Sequence, residues 1–371
     1  MARFFYGNFD FEHRLADPRH EPSAALRRLN AELATSWLAI AEDGDWVWTP
    51  LSINPDFFLE ATRQGLPSVV PVTSLSDVPR EIEFVPWGWS AEVRKLANQF
   101  GWHMDAPAEN AVRLANSRAT SNELEQRGNF GLIGSRKINS LGQFDEAIQS
   151  AHATGSRWVV KAEYGMSARE RILGSGPAKD ADKNWVRRRL TQQGAVFFEP
   201  WVERMEEAGI QIEIPKNDPP RLIGVSPMLV DERGQYSGSW FAGHESRLFK
   251  NRDLWQQAIS TALSAATHLQ AFGYFGPLGI DAMLYRDSDG TIQIRPLQDI
   301  NARWTMGRLS LGLRRLIRAG DQGSWLHRPK NNSQDENLLE LSRVIATSPD
   351  RVGNDLCHHS SKIWISTHDF C

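Results

Sequence analysis

Residues 279–303 read GIDAMLYRDSDGTIQIRPLQDINAR, and this stretch decides how the rest of the chain is read. Asp289-Gly290 is a turn signal between two β-prone runs, so the spacing predicts a hairpin of strands Gly279–Tyr285 and Thr291–Ile300. Side chains alternate along a strand, which puts Asp299 and Asn301 on one face. Antiparallel pairing then brings Asp281, at the open end of the first strand, near that pair. Two carboxylates and an amide oxygen form a hard, all-oxygen set of the kind Mg²⁺ takes while keeping waters and substrate phosphates. Asp281, Asp299 and Asn301 are therefore the candidate metal ligands. Arg303 follows on the same alternation and offers a planar fork suited to phosphate. The plain alternative is a polar hairpin with solvated acids.

Working upstream, Trp158-Val159-Val160-Lys161 is a β-branched run that ends in a cation, followed by the loop Ala162–Arg171. Lys161 at such a strand end can reach a phosphate as a point charge, and Lys137 closes a similar run one strand earlier. In Phe197-Phe198-Glu199-Pro200-Trp201-Val202 a strand runs into an extended Glu-Pro segment. Its backbone can read an adenine edge while Trp201 or Phe198 packs the ring. Glu206 or Glu207, read as lying just before a strand Ile210–Ile214, offers a carboxylate to ribose hydroxyls. The glycine-punctuated segment Ser237–Arg247 carries His244, able to orient or deprotonate an amine, and Arg247, able to hold a carboxylate. Asn116-Ser117-Arg118 reads as helix capping. Tyr6, Asn8 and Asp10 end the first strand, where open α/β sheets tend to bind ligands.

Composition narrows the classes. The chain has 371 residues, enough for two or three domains with real cores. Lys plus Arg is 42 against 45 Asp plus Glu, a formal charge of -3 that offers no global field for nucleic acid or anionic membrane. Two cysteines cannot make a disulfide framework, which points to a reducing cytoplasm. The opening MARFFYGNFDFEHRLA meets Asp10 and Glu12 before a signal-peptide core could form. No run approaches the ~18 apolar residues of a membrane span.

The organisation reads as four stretches: an open α/β domain over 1–112, a small lobe over 113–198, a large lobe with the metal site over 199–329, and a tail over 330–371. The first is expected to hold strands Arg3–Gly7, Trp37–Ala41, Ser68–Pro71 and Glu83–Pro86 with helices Ser23–Leu33, Pro55–Gln64 and Ser90–Phe100. The second holds strands Leu132–Lys137, Trp158–Ala162 and Ala195–Phe198. The third adds Arg221–Leu229 and helix Leu254–Phe272. The tail offers one short amphipathic helix and an edge strand at Ser361–Ser366. None of the loops of the first stretch, 1–112, is a GxGxxG or GxxxxGK[ST] phosphate cradle.

The order of these pieces resembles the ATP-grasp superfamily over about residues 1–325. The resemblance implies an α/β class with α+β lobes: an N-terminal open α/β pre-ATP-grasp domain followed by two lobes that clamp ATP. It aligns Lys137 and Lys161 with phosphate-contacting lysines, and Glu199-Pro200-Trp201-Val202 with the adenine-binding hinge. Glu206 or Glu207 takes the ribose position, Asp281, Asp299 and Asn301 the magnesium positions, and Asn301-Ala302-Arg303 the Asn-Pro-Arg run. Lys161 and Arg303 are then the catalytic cations, and Ser167 and Arg169 serve a lid that holds one glycine where relatives carry several. Asp299 stands where the family usually has Glu. The implied cofactors are ATP and Mg²⁺, with small-molecule carboxylate and amine substrates, a homodimer, and no nucleic-acid or membrane partner. The implied reaction is carboxylate–amine ligation through an acylphosphate; a phosphotransferase and a non-catalytic nucleotide-binding regulator are the rivals. Asn8–Glu12 and Arg295–Arg303 also resemble ATP-grasp ligases of methanofuran or tetrahydromethanopterin one-carbon metabolism, which implies amino-acid or glutamyl ligation on a cofactor precursor.

Overall fold

The computed structural model describes residues 1–165, 170–242, 249–329 and 342–366. Strands β1 (Arg3–Tyr6), β2 (Trp46–Trp48), β3 (Val70–Val72) and β4 (Glu83–Pro86) form a parallel sheet in the order β3-β2-β1-β4. Helices α1 (Phe11–Ala16), α2 (Ala24–Leu33), α3 (Pro55–Arg63) and α4 (Ala91–Phe100) connect and cover it. Ser23 and Ser90 cap α2 and α4 by accepting from the Leu26 and Val93 amides, which satisfies donors that a helix start leaves orphaned. Between β1 and β4 the strand order reverses, and there Asn8 donates to the Gly88 carbonyl at 2.9 Å.

The expected strand Trp37–Ala41 is instead a 3₁₀ helix over Ala34–Ala39. All six of its residues are buried, and a short all-apolar run carries no period by which strand and buried helix can be told apart. The strand of that unit is β2, two tryptophans flanking the buried Val47.

Helices α5 (Glu109–Ala115) and α6 (Arg118–Gly128) lead into a second, antiparallel sheet. Its strands are β5 (Arg136–Ile138), β6 (Arg157–Ala162), β7 (Arg171–Ser175) and β8 (Val196–Pro200), in the order β5-β8-β6-β7. Helices α7 (Leu141–Ala153) and α8 (Asp180–Gln193) bury one face against Phe144, Trp158, Val160, Val186 and Phe198. The run expected from Leu132 starts pairing only at Arg136, because Gly134 sits at φ 90° in a turn and leaves Ile133 exposed. The face turned away from α7 and α8 carries Lys137, Phe197, Lys161 and Arg171 in one cross-strand row.

The third sheet has eight strands, in the order β13-β12-β9-β10-β11-β14-β18-β15. They are β9 (Glu203–Ile214), β10 (Arg221–Val230), β11 (Tyr236–Ala242), β12 (Gly276–Arg286), β13 (Ile292–Asn301), β14 (Gln322–Pro329), β15 (Ser342–Ala346) and β18 (His359–Ser366). The ribbon β16 (Arg351–Val352) and β17 (Asp355–Leu356) stands apart. Helix α9 (Arg252–Ala271) buries Ala258, Ala262, Ala265, Ala266 and Leu269, a stripe at three- and four-residue spacing that packs closely on the back of β9 and β13. Helix α10 (Met306–Gly312) lies over β9, β10 and β11, with Thr305 as its N-cap.

Three expectations are corrected here. Ser361–Ser366 is no edge: β18 pairs with β14 on one side and β15 on the other, because both faces and both edges of its Ile363-Trp364-Ile365 core are covered. Where the tail was read as helical, Ser342–Ala346 is a strand; residues 330–341 lie outside the described residues. The strand expected from Ile210 begins at Glu203, so Glu206 and Glu207 lie within it. Among the described residues no helix is long and apolar enough to cross a membrane.

The C-terminal strands are fastened to the first sheet's helices by Glu32. Its carboxylate accepts from the His358 amide at 2.9 Å and pairs with His359 Nδ1 at 3.2 Å. Burial alone raises its pKa, but the bonds from His359 and His358 outweigh that and hold it down to about 2. A depressed carboxylate stabilises the fold above its ordinary pKa of about 4.5 and loses that contribution as pH falls toward 2. Glu32→Gln is therefore expected to lower Tm by a few degrees at pH 7, since ~1 kcal/mol moves a domain of roughly 150–250 residues about 2–4 °C and a longer chain less. The wild-type advantage should shrink steadily below pH 4.5 in a melting series; a constant gap down to pH 3 contradicts the assignment.

Candidate functional site in the cleft between two sheets

Pairing register builds one wall of the site. Asp281 lies directly opposite Asp299, and Gly279 opposite Asn301, so Asp281, Asp299 and Asn301 share a face of the β12–β13 hairpin. Asn301 Nδ2 donates to Asp281 Oδ2 at 3.3 Å. On the other side Asp281 faces Gly209, where a Cβ would stand 3.7 Å from Asp281 Oδ1 and collide with Gln211 Nε2 at 2.6 Å. Glycine at 209 thus keeps the floor beside the acids open. Burial, then the charges of Asp299 and Glu207, push the Asp281 carboxyl up to about 7, against the pull of Arg303. Like charges held this close on a half-buried surface form a site that a cation would relieve.

The facing wall is the face of the second sheet turned away from α7 and α8. Lys161 is 9 % exposed and its Nζ lies 2.8 Å from Glu199 Oε2. Burial pulls the ammonium below its usual value, and the Glu199 charge opposes that pull. Glu199 is shared: Arg295 Nη1 donates to its Oε2 at 2.9 Å and Nη2 to its Oε1 at 3.1 Å. Burial would raise the Glu199 carboxyl, but Arg295 and Lys161 together hold it far below the carboxylate range. The two walls meet at Arg118. Its Nε donates to the Ala162 carbonyl at 2.9 Å, just past Lys161, and its Nη1 reaches Asp299 Oδ1 at 3.1 Å. One guanidinium therefore spans the end of β6 and the end of β13.

Other candidate residues fall as follows. Lys137 shares the row of Lys161 but stands two strands away, with Phe197 between them. That is roughly 10 Å at ordinary strand spacing. It lines a cavity of about 430 Å³ with Arg113, Glu163, Tyr164 and Gln193. Trp201 and Val202 form the link between β8 and β9, and the Trp201 amide donates to the Arg157 carbonyl at 2.8 Å. The Trp201 ring is ringed by Arg204, Arg157 and Arg171 at 4.2, 5.5 and 5.8 Å, so guanidinium groups occupy the place proposed for a base. Glu206 turns to the back of the sheet, where Trp255 Nε1 donates to it at 3.0 Å. Glu207 is on the face of Asp281, held by Arg204 at 2.9 Å and Gln298 at 3.4 Å. Arg303 turns from the cleft toward the first sheet: it donates to Glu12 at 2.5 Å, to Asn301 Oδ1 at 3.0 Å and lies over Trp87. Ser167, Arg169, His244 and Arg247 lie outside the described residues.

No family model matches the sequence, and no curated protein matches it. Solved structures do. N5-carboxyaminoimidazole synthetase from Staphylococcus aureus superposes with a TM-score of 0.56 at 10% identity, covering 99% of this chain and 93% of that one. An ADP complex of PurK, the N5-carboxyaminoimidazole ribonucleotide synthetase, gives 0.54 at 12% identity, with 90% of each chain covered. A biotin carboxylase–β-γ-ATP complex from Campylobacter jejuni gives 0.54 at 12% identity, covering 98% of this chain and 87% of that one. The fold is the ATP-grasp fold.

The acidic hairpin and the Lys161 sheet meet at this cleft. Asp281, Asp299 and the Asn301 amide suit Mg²⁺, because they supply hard oxygen donors and leave positions for waters and phosphates. Among the described residues no group of three or more His, Cys, Asp or Glu side chains is arranged to hold a metal, so the pair of acids stands without a third. Asn301 presents nitrogen to Asp281, and its amide must turn to offer oxygen there. Reading along the chain missed Arg118, Arg295 and Glu125. Arg118 was legible as a helix-start residue, but nothing local marks its reach to Asp299, 181 positions on.

Proposed function

We propose that the chain is an ATP- and Mg²⁺-dependent ligase that joins a carboxylate to an amine through an acylphosphate. The observation that carries this reading is the span of Arg118, which brings the Lys161 strand and the Asp281–Asp299 pair to a single cleft. Phosphoryl transfer asks a protein for positioning and charge neutralisation rather than covalent chemistry. Lys161, Arg118 and, from the neighbouring cavity, Lys137 are the cations for the phosphate chain. The backbone of Glu199 to Val202 is the hinge that reads the base edge, the Trp201 ring being taken by arginines, and Glu207, rather than Glu206, faces the ribose. Asp281, Asp299 and Asn301 would hold Mg²⁺, which when bound neutralises charge on the phosphate oxygens. Arg303, tied to Glu12, holds the Asn301 oxygen in the free protein and joins the first sheet to the acidic hairpin instead of touching phosphate. The fold's solved examples include an ADP complex and a β-γ-ATP complex, which supports the nucleotide part of the reading.

The attacking group is a substrate carboxylate, whose oxygen bonds to the γ-phosphorus as the bond to ADP breaks. The amine then displaces phosphate from the acyl carbon. Amino-acid or glutamyl transfer onto a cofactor precursor fits this scheme. Hydroxylamine serves as a general amine in the test: ADP release and hydroxamate formation are measured across a panel of carboxylic and amino acids. The expected result is ADP release that requires acid, Mg²⁺ and hydroxylamine together. A stable phosphorylated product formed without an amine identifies a phosphotransferase instead.

A further inference from the structure

Arg295 and Glu125 are given no contact of their own with the nucleotide, yet they are 2 % and 3 % exposed in the wall behind it. Arg295 Nε donates to Glu125 Oε1 at 2.6 Å and Nη2 to Oε2 at 2.9 Å. The remaining edge of the guanidinium serves both oxygens of Glu199, and Lys161 sits on the Oε2 that Arg295 Nη1 also reaches. Four buried charges from α6, β13, β8 and β6 thus sum to zero. Other charges that bear on Lys161 are Arg118 from α6 and Asp299 from β13.

We propose that Arg295, pinned by Glu125, is a positioning residue that keeps Glu199 satisfied so that Lys161 can leave it for a phosphate. This inference rests on the nucleotide reading above. A buried carboxylate stripped of its partner is costly, and a salt bridge with no other support is therefore hard to open. With Arg295 in place, Glu199 keeps two charge-assisted hydrogen bonds when Lys161 moves away. Without Arg295, Lys161 becomes the sole cation on Glu199 and stays there. Glu125 matters because it fixes the guanidinium plane from the opposite edge: its two bonds leave Nη1 and Nη2 directed at Glu199.

The test separates this role from a plain staple between α6 and β13. Removing Arg295 alone strands the buried Glu125 and risks the fold, so the first variant is the pair Glu125→Leu/Arg295→Met, an apolar replacement of the kind that buried ion pairs tolerate. MgATP affinity is read by calorimetry at a temperature well below each variant's melting point. The expected result is about a tenfold or greater rise in Kd, since 1.4 kcal/mol is one decade. Adding Glu199→Gln to that background, which lets go of Lys161, should recover most of the loss. Arg295→Lys in an otherwise native chain, keeping a cation on Glu199 but losing the fork, should fall between. Wild-type affinity in the double variant, or no recovery on adding Glu199→Gln, overturns the proposal, as does an Arg295→Lys affinity outside those limits. Lys161→Ala is run alongside: if it leaves MgATP affinity unchanged, the nucleotide reading itself fails, a result distinct from failure of the Arg295 role.

Discussion

Lys161→Ala is expected to weaken MgATP binding roughly ten- to a hundredfold, the worth of a charge-assisted hydrogen bond in a dry site. The fold should survive the change. Glu199 retains both bonds from Arg295 after Lys161 is removed, so no buried carboxylate is left bare. The melting temperature of the free protein should therefore fall by only a few degrees, far less than for loss of Arg295, whose removal strands Glu125 and leaves Glu199 with Lys161 alone. Calorimetric titration with MgATP, paired with thermal melts without ligand, reads the two effects separately. A large drop in Tm with unchanged affinity would make Lys161 a structural cation and nothing more.

Asp281→Asn should have the opposite stability signature and an equally large functional one. In the free protein Asp281 sits under the charges of Asp299 and Glu207, and burial with those charges lifts its carboxyl to about 7. A raised acid favours the folded state while protonated. Its contribution is present below the unfolded value of about 3.8 and is lost as pH rises through about 7. Replacing it with a neutral amide removes that loss, so the variant should melt above wild type at pH 8 and converge with it near pH 4. Mg²⁺-dependent ADP release should fall by two orders of magnitude or more, because one of only two carboxylates in the set is gone. Asp299→Asn should lose activity as well, but without any gain in stability, because Arg118 is then left facing no carboxylate. Equal activity in either variant would mean the acids hold no metal.

Much of this site could be read from the chain because its parts are local. Asp281 and Asp299 flank a hairpin whose Asp-Gly turn sets their register, and the pairing puts them directly opposite each other despite an irregularity between Asp281 and Met283. Lys137 and Lys161 come to one face because both pair opposite Phe197 of β8. What could not be read depends on contacts between distant segments. Arg303 looked free for phosphate because its partner Glu12 lies 291 residues away. The Arg295–Glu125 pair spans 170 residues, and Arg295 in sequence is one more arginine in a polar strand. Glu206 and Glu207 could not be separated until β9 was seen to start at Glu203, since strand parity alone sends one to Trp255 and the other to the cleft. Trp201 looked like a base-stacking ring, and only the tertiary fold brings three arginines around it.

The most direct test of the central claim is a set of thermal melts of the purified protein with ATP, GTP or ADP, each with and without Mg²⁺. A ligand that binds only the native state raises Tm by mass action, and a hundredfold excess over Kd adds about 2.7 kcal/mol. The clamp described here predicts a rise with ATP that depends on Mg²⁺, is smaller with GTP, and is lost in Lys161→Ala and Asp281→Asn. No shift with any nucleotide at millimolar concentration would contradict it.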